Sequence, residues 1–215
     1  MQASELSLEP FEQIAEDLYT KGISISTNAI PHKVLRALEA RLNELDHDSF
    51  DVAGIGRQTD HATNATIRRD KIHWLDNNNE LELSYLEHMG QLQQFVNRRL
   101  FMGLFSYESH FAKYQQGDFY KKHLDAFKGK TNRVLTTVLY LNNNWQPEFG
   151  GELVVYSPDN HDEELLRVTP AFGTFVTFLS DEFPHEVLPA QHTRFSIAGW
   201  FRVNASLNGD IDPPR

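Results

Sequence analysis

The chain has 215 residues, enough for one substantial domain. It contains no cysteine, which excludes disulfides, zinc–thiolate sites and thiol catalysis and fits a reducing cytoplasm. A formal net charge of -10 argues against general binding to DNA or RNA phosphate, and apolar runs such as FVTFL are far too short to span a bilayer. The acidic opening, MQASELSLEPFEQ, lacks the basic-then-apolar pattern of a signal peptide, so a cytoplasmic location is expected.

Phe11, Ile14, Ala15 and Leu18 recur at helical spacing, with Gly22 as the stop, and ISIS follows as a short strand. Leu35, Leu38, Leu42 and Leu45 mark a second helix after Pro31. Leu81, Tyr85, Met89, Leu92, Val96 and Leu100 mark a third, expected to end near Gly103. These stripes read as core faces. Between the second and third helices, residues 52–76 show no periodicity and read as a long loop or irregular hairpin, of the kind that carries function. The basic run inside it, Arg68 to His73, reads either as a solvated face or as a contact for an acidic partner.

From Tyr107 the pattern changes. RVLTTVLYLN, GELVVYS, LLRVTP, GTFVTFLS, HEVLP and RFSIAGWFRV read as strands, with NNNWQPEFGG and SPDNHDEE as turns. The expectation is a single mainly β domain with flanking helices (α+β), helical over about 1–103 and β over about 104–204. Its core is an antiparallel sandwich with the helices on one side.

His123 and Asp125 sit two apart in YKKHLDAF. On a strand they would share a face, with Leu124 on the other, and could converge on one ion. His185, which opens HEVLP sixty residues beyond Asp125, is the candidate third ligand; the other histidines lie mostly in helical or loop contexts or in polar turns. Two imidazoles and a carboxylate suit non-haem Fe(II), whose open positions take O₂ and an organic co-substrate; zinc is possible with the same ligands, and manganese or cobalt could occupy the site inertly. Arg194, nine residues after His185, is either a surface arginine or a fork for a carboxylate.

The order H-x-D, H, R resembles that of the 2-oxoglutarate and Fe(II)-dependent oxygenases. More narrowly it is similar to the prolyl hydroxylases of the hypoxia-inducible-factor type and their bacterial relatives. IRRDKIHWLD, RVLTTVLYLNNNW, GGELVVY, HEVLP and RFSIAGWF carry the likeness, from about residue 52 to 203. The resemblance implies a double-stranded β-helix (jelly-roll) core, with Fe(II) held by His123, Asp125 and His185. It implies that Arg194 pairs with the C5 carboxylate of 2-oxoglutarate and that Tyr140 hydrogen-bonds the co-substrate. Tyr114, Thr136 and Val187 would line its pocket and Trp200 would wall the metal site. Arg133, Arg68, Arg69 and Trp74 would meet the substrate, with 52–76 as a mobile lid. O₂ is the co-reactant and ascorbate a candidate reductant.

The implied activity is hydroxylation of a proline in an exposed loop of a protein, with elongation factor Tu a candidate, and oxygen sensing is a role such an enzyme can serve. Two alternatives stay open: the same chemistry on another side chain or a small molecule, and a metal-binding interaction or sensor module without turnover. Asp125 disfavours halogenation, whose enzymes lack this carboxylate. Ala198 departs from the animal enzymes, which carry a hydroxyl residue there.

Overall fold

In the computed structural model the described residues are 9–54, 64–126 and 132–204. The middle of the expected lid, 55–63, lies outside them, as does Phe127 of the YKKHLDAF stretch.

The helices form where the apolar spacing places them. Helix α1 (Glu9–Lys21) buries Phe11, Ile14, Ala15 and Leu18, and Gly22 ends it at φ 72°. Helix α2 (His32–Glu44) follows Pro31 and buries Val34, Leu35 and Leu38. The side chain of Asn79 accepts the Leu81 and Glu82 amides and so starts α3 (Glu80–Leu100). That helix stops ahead of Gly103, because Phe101 takes the left-handed conformation at φ 55°. Both amide ends of the Asn97 side chain then bind the backbone of Leu104.

Eleven strands follow or interleave: β1 (Ile23–Ser26), β2 (Asp51–Val52), β3 (Lys71–Trp74), β4 (Leu104–Tyr114), β5 (Tyr120–His123), β6 (Arg133–Tyr140), β7 (Leu153–Tyr156), β8 (Glu164–Val168), β9 (Phe175–Leu179), β10 (His185–Val187) and β11 (Arg194–Val203). They make a seven-stranded sheet in the order β1-β9-β6-β11-β4-β3-β2 and a four-stranded sheet in the order β5-β10-β7-β8, all antiparallel. The chain passes between the sheets from β4 to β5, β5 to β6, β6 to β7, β8 to β9, β9 to β10 and β10 to β11, which is the jelly-roll arrangement.

Period-two alternation on the large sheet separates two cores. Leu135, Leu139, Phe111, Ile197 and Phe201 face outward and join all three helices in one cluster. Val138, Tyr140, Ala112 and Tyr114 face inward and meet Leu153, Val155 and Val187 of the small sheet. The helices therefore cover one face of the large sheet and leave its other face to the site.

Of the two readings of 52–76, the irregular hairpin is the one its ends follow: β2 and β3 pair antiparallel, with Asp51 opposite Ile72, and β3 extends the large sheet. The helical and β parts are not segregated at residue 103, since β1, β2 and β3 of the first part are strands of that sheet. The long strand β4 begins at Leu104, where the β part was expected to start, though its charged residues Glu108 and Lys113 hide its alternation.

Glu82 ties this part together. It is 1% exposed, accepts from Arg41 Nε at 2.6 Å and from the Asp76 backbone at 2.9 Å, and so fixes α2 and the β3–α3 connection to α3. Replacing it with alanine leaves the Asp76 amide unpaired and Arg41 with only its longer contact to Glu44 at 3.4 Å. Glu82→Ala should lower stability by about 3 kcal/mol, read as a lower urea midpoint at unchanged slope.

Candidate active site

His123 and His185 are direct cross-strand partners between β5 and β10. That register brings their rings to 4.3 Å between centroids, although they are 62 residues apart. Strand β5 ends at His123, so Asp125 does not reach the ion by strand alternation. It lies in the bend that leads toward β6, where Ala126 N–H bonds to Ser180 O at 3.1 Å. The bend turns the carboxylate inward. Asp125 Oδ1 is 3.5 Å from His123 Nε2, and Oδ2 is 3.6 Å from His185 Nε2. One ligand atom from each residue lies within 4.8 Å of the others.

The surroundings set the chemistry of these donors. His123 Nδ1–H donates to Lys121 O at 2.8 Å, and His185 Nδ1–H donates to Phe183 O at 3.0 Å. Each bond fixes the tautomer and leaves an Nε2 lone pair toward the carboxylate. Burial lowers the His185 pKa to about 4, so that ring is neutral at ordinary pH. Burial alone would raise the Asp125 carboxyl. In the acid range where the carboxyl titrates, the positive charge of protonated His185, with His123 and Arg133, outweighs it and holds the group below the usual carboxylate range. Thr136 Oγ1–H donates to Asp125 Oδ2 at 2.8 Å and accepts from Ser180 Oγ at 2.9 Å. Tyr120 stacks on His123 at 3.6 Å and 14°.

A cavity of about 170 Å³ runs from this cluster to Arg194 at one end and Trp74 at the other. Arg194 is 1% exposed, the opposite of a surface arginine. Its Nε–H donates to Gly151 O at 2.9 Å and its Nη1–H to Ser196 Oγ at 3.2 Å. Tyr114 and Tyr140 lie 4.8 and 5.0 Å from the guanidinium carbon. Among the described residues no carboxylate pairs with this buried cation. Among the described residues the buried Tyr140 hydroxyl has no hydrogen-bond acceptor, and burial raises its pKa to about 12. An anion beside Arg194 would neutralise the one and satisfy the other. The residues thus fit a divalent metal with open positions and, beside it, a carboxylate ligand.

The other expected site residues are dispersed. Thr136, Val187, Trp200, Tyr114, Arg133, Arg68 and Trp74 line the cavity; Tyr140 packs behind it. Arg133 lies over Trp200 at 3.7 Å and pairs with Glu108 at 2.9 Å. Arg68 is not a solvated base: it pairs with the fully buried Asp70 and lies over the Tyr120 ring at 4.4 Å. Its charge is spent internally, so it offers little to an acidic partner. Arg69 is exposed, rests over Phe119 and lies outside the cavity.

Asp70, Tyr120, Ser196 and His110 were not legible as site residues. His110, which lies in the expected β part without an assigned role, is on β4 and lines the cavity. A period-two reading back from Tyr114 through Ala112 would have found it.

The 2OG-Fe(II) oxygenase superfamily profile matches residues 109–202. A crystal structure of a Pseudomonas putida prolyl-4-hydroxylase superposes with a TM-score of 0.81 at 39% identity, covering 91% of this chain and 100% of that one. A Trichoplax adhaerens prolyl hydroxylase, solved with a hypoxia-inducible-factor peptide fragment, superposes with a TM-score of 0.80 at 25% identity, covering 94% of each. Human prolyl hydroxylase EGLN3 is 33% identical over 86 residues, 40% of this chain and 35% of its own length. The match to rat Egl nine homolog 1 covers 40% of this chain and 25% of that protein.

Two substitutions test the supports of the site. Thr136→Val removes a hydrogen bond to Asp125 at nearly constant volume and should weaken Fe(II) binding about tenfold, measured by anaerobic metal titration. Gly151, at φ 69°, would carry a Cβ 3.2 Å from Arg194 Cδ. Gly151→Ala should displace the guanidinium and weaken 2-oxoglutarate binding about tenfold, at a cost of about 1–2 kcal/mol in stability; calorimetry and thermal melting read the two effects.

Proposed function

The chain belongs to the 2OG-Fe(II) oxygenase superfamily, and we propose that it is a prolyl hydroxylase acting on a proline in an exposed segment of a protein. The observation that carries this reading is the pairing, in one cavity, of the His123–Asp125–His185 cluster with a buried arginine that has no carboxylate partner among the described residues. The similarity to the Pseudomonas putida prolyl-4-hydroxylase over its full length supports proline as the target.

His123, Asp125 and His185 hold Fe(II) in this proposal, and Arg194 takes the far carboxylate of 2-oxoglutarate, with Tyr114 and Tyr140 beside it. Bound iron and 2-oxoglutarate supply O₂ activation, coupled to decarboxylation to succinate and CO₂. The protein's part is to position and to exclude water. Val138, Leu153 and Val187 give the cavity an apolar wall. Trp74, half-exposed at 50%, with Arg133 and Trp200, leaves an aromatic mouth for the target ring.

Elongation factor Tu is the first candidate protein, and a cytoplasmic location belongs to the same proposal. Among the described residues no helix is long and apolar enough to cross a membrane.

Asp125→Ala should abolish both iron retention and succinate formation; wild-type turnover in that variant would remove the carboxylate from its role. Arg194→Ala should raise the KM for 2-oxoglutarate about 100-fold, the loss of about 3 kcal/mol that follows from truncating one side of a buried charge pair. The substrate reading is tested by mass spectrometry of host proteins with and without this chain. A one-oxygen gain on proline, in elongation factor Tu first, is expected; gains confined to other residue types would overturn it.

A further inference from the structure

Among the described residues, His110 is the one histidine outside the proposed metal cluster that lines the active-site cavity. It is 3% exposed and lies between two indoles, 5.1 Å from the Trp74 ring and 5.5 Å from that of Trp200. Its Nδ1–H donates to Phe111 O at 3.2 Å. Nε2 has no partner among the described residues, and burial lowers the ring's pKa to about 4, so this nitrogen is a neutral acceptor. His88 is the contrast: its Nε2 is spent on Ala29 O at 2.8 Å and it lines no cavity with the active site. A histidine kept only for packing would look like His88.

Position decides what His110 can meet. On β4 it is four residues from Tyr114, and its partner Ala198 is four residues from Arg194 on β11. Four residues of antiparallel strand span about 13 Å. The five-carbon chain of 2-oxoglutarate spans about 6 Å at about 1.5 Å per bond. A co-substrate anchored on Arg194 therefore falls short of His110. What enters at the Trp74 end does not. The small side chain of Ala198, directly across, leaves room beside the imidazole. A peptide in a cleft walled by indoles loses water from its backbone donors and must find acceptors for them. Proline has no N–H, so the donor belongs to a neighbouring residue.

We propose that His110 sets the register of the peptide substrate by accepting, at Nε2, the backbone N–H of a non-proline residue near the target proline. His110 is a specificity residue in this role, and the inference rests on the prolyl-hydroxylase reading above. It makes the enzyme selective for a proline flanked by ordinary residues over an unbroken proline tract.

The test uses synthetic proline-centred peptides of elongation factor Tu, the same peptides N-methylated at one backbone position at a time, and poly(L-proline), which has no internal N–H. In His110→Leu the peptide KM should rise about tenfold, the loss of one hydrogen bond to a buried acceptor, with the 2-oxoglutarate KM within about twofold of wild type. His110→Gln, whose amide oxygen can stand in for Nε2, should recover most of the peptide affinity. One N-methyl position should carry a similar penalty in the wild type and none in His110→Leu. Poly(L-proline) should be a poor substrate for both. An unchanged peptide KM in His110→Leu, an N-methyl penalty of equal size in both proteins, or peptide and 2-oxoglutarate KM values rising together would overturn the assignment. If the wild type hydroxylates none of these peptides while mass spectrometry finds no modified proline, the hydroxylase reading itself fails. If it hydroxylates them and His110→Leu does so with the same KM, only the role of His110 fails.

Discussion

The carboxylate of Asp125 sits in a buried place that would favour its neutral form; imidazoles that turn cationic in the acid range, Arg133 and a threonine hydroxyl keep its carboxyl below the usual carboxylate range, so it stays ionised. Much of the architecture follows from holding that charge. The imidazoles come from two strands that must pair in one register, since a one-residue slip would turn His123 or His185 to the other face. Thr136 must come from the opposite sheet, so the two sheets are set against each other at this point. Ser180 completes the network by giving its hydroxyl proton to Thr136, which leaves the threonine proton for the carboxylate.

A second buried charge lies at the other end of the same cavity. Arg194 is held by a backbone carbonyl and a serine hydroxyl, neither of which neutralises it. Burying a guanidinium in this state costs free energy, and a ligand carboxylate recovers it. The anion cluster attracts a cation and the lone arginine attracts an anion, and the aliphatic wall between them keeps both interactions out of water. The Gly150–Gly151 turn serves the arginine directly, because a side chain at Gly151 would press on its Cδ.

The mouth is built differently. Its arginines are already paired, Arg68 with Asp70 and Arg133 with Glu108, so they act as rigid platforms under or over aromatic rings. Arg68 holds Tyr120 from one side while His123 stacks against the same ring, which couples the base of the 52–76 segment to the metal cluster. What remains for a substrate is aromatic surface and the unspent nitrogen of His110.

The sequence alone determined the three helices, whose apolar stripes repeat at 3.6 residues, and marked β6 and β11 as strands by their runs of β-branched, aromatic and aliphatic residues. It also marked His123, Asp125, His185 and Arg194, because that order of residue types resembles one family's signature. It did not reveal β3 or β4, where charged and polar residues on a sheet face blur the period of two. It could not show that Arg68 is neutralised by Asp70 two positions on, that Asp125 turns inward from a bend rather than a strand, or that His110 lines the cavity. Those facts depend on which strands become neighbours. Pairing partners lie tens of residues apart, and a local pattern carries no record of them; only the closed sandwich decides which polar groups lose water together and which of them is left without a partner.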